Sequence, residues 1–184
     1  PFRAPRYSWE RAIEDELNGV GADPGHAGPS GEPLVPRPHQ QQAVEAILAA
    51  RKAKRPGFLL ADDVGLGKTI STWQAVLSMP DVERVLVVCP LAVIAHWRRT
   101  IERMGDRGLR VVVINYDRLA KLFEVPSSVR SKVKSKKGVA KRGEAERFDV
   151  VVWDESHRCK NPTAARSKLA AKLTANAGFV LWLS

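Results

Sequence analysis

Cysteine is scarce. Only Cys89 and Cys159 occur in 184 residues. They form no C-x-x-C pair, and no histidine stands at metal-ligand spacing from either. A disulfide framework and a thiolate metal site are therefore excluded, and both cysteines are expected as reduced, buried or half-buried thiols of a cytosolic protein. Long apolar runs are also missing. None approaches the ~20 residues of a membrane span, and no signal peptide is visible. No internal repeat is found. Acidic residues are in short supply, with 20 Asp and Glu against 30 Lys and Arg. The resulting charge of +10 suits a polyanionic partner such as nucleic acid, although solubility alone also accounts for basic surfaces.

What is present divides unevenly. Residues 1–36 form an appendage. Trp9, Ile13 and Leu17 recur at helical spacing and predict one amphipathic helix, and the glycine- and proline-rich stretch from Asn18 to Pro36 reads as a linker. From residue 37 onward, apolar strands and helices alternate. A helix runs from Pro38 to about Lys54, and a strand spans Phe58 to Ala61. Another helix opens at Lys68-Thr69. Further strands are expected at Arg84–Cys89, Arg110–Ile114, Phe148–Trp153 and Phe179–Leu183. Helices are expected at Val93–Met104, Tyr116–Phe123 and Thr163–Leu173. This alternation predicts an α/β fold: a three-layer parallel sheet with helices on both faces. It is interrupted at about 121–147, where seven of the thirteen residues from Arg130 to Arg142, Lys136 and Lys137 among them, are basic. Such a run serves equally as a solvated loop or as a contact to a phosphate backbone.

The chain is organised around Leu59-Leu60-Ala61-Asp62-Asp63-Val64-Gly65-Leu66-Gly67-Lys68-Thr69. A buried strand, a tight turn and a new helix are the context that a phosphate-binding loop requires. Gly65 and Gly67 let backbone N–H groups converge on an anion, and the helix directs its positive end there. Lys68 can reach the β- and γ-phosphates, and the Thr69 hydroxyl can hold Mg²⁺. One position departs from G-x-x-x-x-G-K-[ST]: the first glycine is Asp62.

A second chemical centre lies at Val150-Val151-Val152-Trp153-Asp154-Glu155-Ser156-His157. The strand ends in adjacent carboxylates at the carboxyl edge of the predicted sheet, the edge from which the phosphate loop also leaves. Asp154 suits Mg²⁺ and Glu155 suits orientation of an attacking water. His157 could couple this site to another or close a local hydrogen-bond network.

These motifs resemble those of superfamily-2 helicase-like ATPases, and in particular the Swi/Snf-type DNA translocases. Residues Ala61 to Thr69 are similar to motif I, in which that branch often has an acidic residue at the loop's start. Arg37-Pro38-His39-Gln40 is similar to the Q motif, which implies that Gln40 reads adenine with Arg37 beside it. Pro90-Leu91 through His96-Trp97 resembles motif Ia, and Asn115-Tyr116 falls where motif Ib would. The resemblance thus implies nucleic-acid contacts at Pro90, Leu91, His96, Asn115 and Tyr116. Residues Asp154 to Asn161 look like motif II, with Ser156 where alanine is usual. Leu183-Ser184 looks like the start of motif III.

The resemblance implies a P-loop, RecA-like lobe that binds ATP and Mg²⁺. Asp63, Gly65, Gly67, Lys68 and Thr69 would bind the nucleotide, with Lys68, Asp154 and Glu155 catalytic. It further implies ATP-driven movement on duplex DNA inside the cell, in the cytoplasm or on the nucleoid. A second lobe, in the same or another chain, would supply arginines to the transferring phosphoryl group. The expectation is one lobe, with little turnover by itself. An RNA or strand-separating helicase and a non-hydrolysing binding module remain alternatives.

Overall fold

The computed structural model describes residues 37–62, 65–124 and 147–184. Residues 1–36, the loop pair Asp63-Val64 and most of the basic insertion, with Lys136 and Lys137, lie outside these.

Five strands form one parallel sheet: β1 (Gly57–Leu60), β2 (Arg84–Cys89), β3 (Arg110–Asn115), β4 (Val150–Trp153) and β5 (Phe179–Leu183). Their spatial order is β1-β5-β4-β2-β3. The helices are α1 (Pro38–Lys52), α2 (Lys68–Leu77), α3 (Ile94–Met104), the single turn α4 (Lys121–Glu124) and α5 (Ala165–Ala175). Central strands covered on both faces read as nearly continuous apolar runs. Accordingly all six residues of β2 and all four of β4 are buried.

Period-two alternation divides the strands between two cores. On one face Val85, Val87, Cys89, Val150 and Val152 pack with Ile47 of α1, Trp73 and Val76 of α2, and Ile94 and Trp97 of α3. On the other, Leu86, Val88, Val151 and Trp153 pack with Tyr116, Leu119, Leu122 of α4, and Ala170 and Leu173 of α5. The expected three-layer arrangement is therefore present. Each fully buried valine or leucine contributes roughly 1.5–3 kcal/mol relative to exposure.

Several element boundaries differ from the sequence expectation: β1 spans Gly57–Leu60 rather than Phe58–Ala61, β3 reaches Asn115, and β4 begins at Val150 rather than Phe148. The helix expected to begin at Val93 is preceded by a 3₁₀ turn, Leu91–Val93, and the α-helix proper starts at Ile94. The helix expected over Tyr116–Phe123 divides into a 3₁₀ turn, Tyr116–Arg118, and α4. Asn115 Oδ1 accepts the N–H groups of Asp117 and Arg118, so this side chain caps the 3₁₀ turn immediately before the expected helix start. The last helix starts at Ala165, not Thr163, because Thr163 donates its N–H and hydroxyl to Asn161 Oδ1 in a local turn. The first helix stops at Lys52, and Lys54 is left-handed with φ 56°.

Candidate nucleotide site at the carboxyl edge of the sheet

Because the sheet is parallel, the residues following β1, β4 and β5 share one edge. Leu60 pairs with Leu183, and Trp153 with Trp182. β5 thus separates the phosphate loop from Asp154-Glu155, a spacing of two strands, about 10 Å. Ser184 emerges between them and donates its N–H to the Leu60 carbonyl at 3.2 Å.

The loop is shaped by backbone freedom. Gly65 and Gly67 have φ of 90° and 79°, a region that costs other residues strain. A Cβ at Gly67 would collide with the Gln40 amide nitrogen. Asp62 is not among the residues with positive φ, so its backbone does not require the usual glycine. Gly67 is the N-cap of α2 and no side chain caps that helix, which leaves its N-terminus to an anion. Lys68 reaches across the loop and donates to the Asp62 carbonyl at 2.6 Å. A phosphate oxygen is a stronger acceptor than a carbonyl, so the lysine can exchange this partner for an anion.

Two side chains of α1 hold the loop from below. The buried Gln40 donates Nε2–H to the Leu66 carbonyl at 3.0 Å and accepts the Arg37 N–H on Oε1 at 2.8 Å. His39 Nε2 lies 3.1 Å from the same Leu66 carbonyl. Gln40, expected at adenine, thus has both ends of its amide engaged on protein. Thr69 is half-buried in the first turn of α2.

The acidic strand end is held by side chains. Trp97, on α3, donates Nε1–H to Asp154 Oδ2 at 2.8 Å. Tyr116 donates its hydroxyl to the Asp154 carbonyl at 2.7 Å. Burial pushes the Asp154 carboxyl upward from its ordinary range, while the Trp97 hydrogen bond and the Lys68 charge oppose that shift. Burial also pushes Tyr116 ionisation far upward, which keeps its hydroxyl a donor. Glu155 is left-handed, with φ 55° and ψ 51°, and is one of three non-glycine residues with positive φ among the described ones. Backbone strain of this kind concentrates at functional sites. His157 is exposed, and its Nδ1 lies 3.3 Å from Glu155 Oε2.

The residues expected at nucleic acid separate into two groups. Leu91 is 57% exposed and His96 is exposed, both following β2 at the same edge, with Pro90 half-buried. Asn115 and Tyr116 are buried at 4% and 3%. Their polar atoms are turned onto backbone: Asn115 caps the 3₁₀ turn and Tyr116 braces Asp154. Cys89 is buried and Cys159 half-buried, and neither forms a disulfide.

Two positioning side chains escaped the sequence reading. Trp97 ends the stretch that resembles motif Ia, and Tyr116 is expected at nucleic acid; neither is expected to hold Asp154. Their partner Asp154 lies 57 and 38 residues further along the chain. No periodicity carries that information.

The donor set fits Mg²⁺. Thr69 and Asp154 offer hard oxygen ligands, and Mg²⁺ normally takes one or two carboxylates plus substrate phosphates. Among the described residues no group of three or more His, Cys, Asp and Glu could hold a metal ion unaided. Such a cation would therefore be shared with phosphate.

A parallel sheet of this order, a glycine loop entering a helix and an acidic strand end define a RecA-like lobe of the P-loop NTPase class. The chain belongs to the SNF2-related domain family, whose model matches residues 39–181. It is 24% identical over 163 residues to the DNA repair and recombination protein RAD54B of Gallus gallus, a match covering 79% of this chain and 18% of that protein. It is 28% identical over 152 residues to the ISWI chromatin-remodeling complex ATPase ISW1 of Saccharomyces cerevisiae, covering 75% of this chain and 13% of that one. Among solved structures, the Sulfolobus solfataricus SWI2/SNF2 ATPase core in complex with dsDNA superposes with a TM-score of 0.62 at 21% identity, over 86% of this chain and 33% of that chain. The chain thus spans about a fifth or less of these two curated relatives. No described helix is long and apolar enough to cross a membrane.

Proposed function

We propose that this chain is the first ATPase lobe of a motor that hydrolyses ATP to move on duplex DNA inside the cell. The observation that carries the reading is one edge of one sheet. It holds a left-handed glycine loop opening an uncapped helix, and, two strands away, a half-buried aspartate followed by a strained glutamate. Membership of the SNF2-related domain family supports it, as do relatives whose names specify DNA repair and chromatin remodelling.

In this reading the N-terminus of α2 and the backbone around Asp63, Gly65 and Gly67 receive the phosphates. Lys68 leaves the Asp62 carbonyl for the β- and γ-phosphates. Thr69 and Asp154 hold Mg²⁺, which when bound neutralises phosphate charge. Glu155 orients the attacking water and accepts its proton, with His157 linking that carboxylate to the rest of the machinery. Gln40 shapes the loop through Leu66, and reading adenine would require it to release that carbonyl. Arg37 is tied to it through its backbone N–H. Pro90, Leu91 and His96 face the DNA. Asn115 and Tyr116 act on the site's own framework. Lys136 and Lys137 add phosphate-backbone contacts from the basic insertion. A second lobe completes the site with arginines, which can be worth ~10³–10⁵ in rate.

The test is ATP hydrolysis by the chain together with its second lobe. Duplex DNA, single-stranded DNA and RNA are added separately, with Lys68→Ala as control. Stimulation by duplex DNA that disappears in the control is expected. Stimulation mainly by RNA or single strands would make the protein a helicase. No hydrolysis under any condition would leave a binding module.

A further inference from the structure

Three buried tryptophans donate their indole N–H groups, and their acceptors differ in kind. Trp73 on α2 donates to the Gly105 carbonyl at 2.9 Å. Trp153 on β4 donates to the Thr174 hydroxyl at 3.2 Å. Both of those acceptors are uncharged. Trp97 donates to a carboxylate, Asp154 Oδ2 at 2.8 Å, at the carboxyl edge of the sheet. Trp97 is 0% exposed, so its ring is fixed by the core between α3 and the sheet.

We infer that Trp97 is a positioning residue for the cation: its N–H holds Oδ2 of Asp154 and leaves Oδ1 as the oxygen offered to Mg²⁺. The inference rests on the proposed nucleotide site. An aspartate's terminal torsion is broad and two-fold, so an unsupported carboxylate samples many orientations. A ligand carboxylate is usefully oriented only when a second group holds it. The indole suits that task chemically. It is a donor only and carries no charge. It can therefore fix the oxygen without competing for the metal as histidine would, and without cancelling the carboxylate charge as lysine would. The Glu155 N–H also donates to this carboxylate from the adjoining backbone, and the indole adds a donor from α3, the helix that follows the exposed Leu91 and lies outside the strand of Asp154. The rival account is that Trp97 only fills the core and its N–H merely finds a partner. Trp73, equally buried on the adjacent helix and the same face, is the internal control for that account.

The experiment measures binding of fluorescently labelled ADP to the whole protein, with and without Mg²⁺, for the wild type, Trp97→Phe and Trp73→Phe. Both substitutions remove one buried N–H and leave a small void, so both lower the melting temperature. Trp97→Phe is expected to reduce the Mg²⁺-dependent gain in ADP affinity by about 10-fold or more, the scale of losing an outer-shell partner. It leaves Mg²⁺-free binding unchanged, and Trp73→Phe keeps the full gain. An undiminished gain in Trp97→Phe overturns the inference. So does an equal loss in both variants, which would mark a purely structural effect. If Trp97→Phe does not fold, the wild-type indole resonances decide. The Trp97 signal must shift as Mg²⁺ is titrated into the ADP complex while that of Trp73 stays still, and an unmoved Trp97 signal overturns the proposal. A wild type with no Mg²⁺-dependent gain is a different result, because it overturns the nucleotide-site reading itself.

Discussion

The phosphate loop and the acidic strand end occupy the same edge, two strands apart, and they are built by opposite means. The loop uses backbone: two left-handed glycines, an uncapped helix start and a leucine at its tip that is 41% exposed. Its restraints are hydrogen bonds to carbonyls from Gln40, His39 and Lys68, which can be exchanged. The acidic end follows a strand buried throughout, and buried aromatic donors hold it on both side chain and backbone. A polyanion with several charged oxygens is best received by many backbone donors that can adjust. In the proposed reading a single carboxylate meets one cation, beside a glutamate that meets one water, and such groups are best held still. Compliance and rigidity are thus divided between two regions of one site.

The largest test of this division is stability. Trp153→Ala at the rigid end should cost about 3–5 kcal/mol, whereas Leu66→Ala at the loop tip should stay within about 0.5 kcal/mol. Urea unfolding followed by circular dichroism measures both, and equal costs would break the contrast.

Catalysis comes next. Removing one preorganised charge-stabilising group typically costs about 10²–10³ in kcat. Lys68→Ala and Glu155→Gln should each lose turnover on that scale in phosphate release. Only Lys68→Ala should also lose nucleotide affinity, because in the proposed reading the loop binds and the acidic end acts.

Tyr116→Phe should follow. It leaves the Asp154 carbonyl without its 2.7 Å donor, a loss of about 1–1.5 kcal/mol in denaturant unfolding. A Tyr116 that instead contacted DNA would change DNA affinity and leave stability untouched.

The smallest effect has the opposite sign. Glu155 holds a left-handed conformation, which costs a non-glycine residue about 1 kcal/mol or more. Glu155→Gly should therefore raise stability by roughly 1 kcal/mol while abolishing turnover, and Glu155→Ala should not raise it. A melting experiment on the two variants separates relief of strain from loss of charge.

Much of this was legible in the chain itself. β2 and β5 have the expected boundaries, because a strand covered on both faces is an almost continuous apolar run, broken in β2 only by Arg84 at its first position, and little else in the sequence is. Gly67-Lys68-Thr69 marked the start of α2 because glycine alone tolerates φ 79° cheaply at its N-cap. Helix starts were less legible. Asn115 and Asn161 take nearby backbone and hydroxyl donors, and that competition is decided by a few hydrogen bonds rather than by pattern.

The sequence determined by itself that there is a parallel α/β sheet, a glycine loop opening a helix, and a carboxylate pair at a strand end. Each is a local pattern whose physics needs no distant partner: alternation, glycine at positive φ, apolar residues ending in acid. Only the tertiary structure decided that β5 separates the two centres, that Gln40 lies beneath Gly67, and that Trp97 and Tyr116 converge on Asp154. Hydrogen bonds between groups tens of residues apart leave no period in the chain. They exist because a closely packed core, once formed, brings those donors and acceptors together and makes an unpaired one costly.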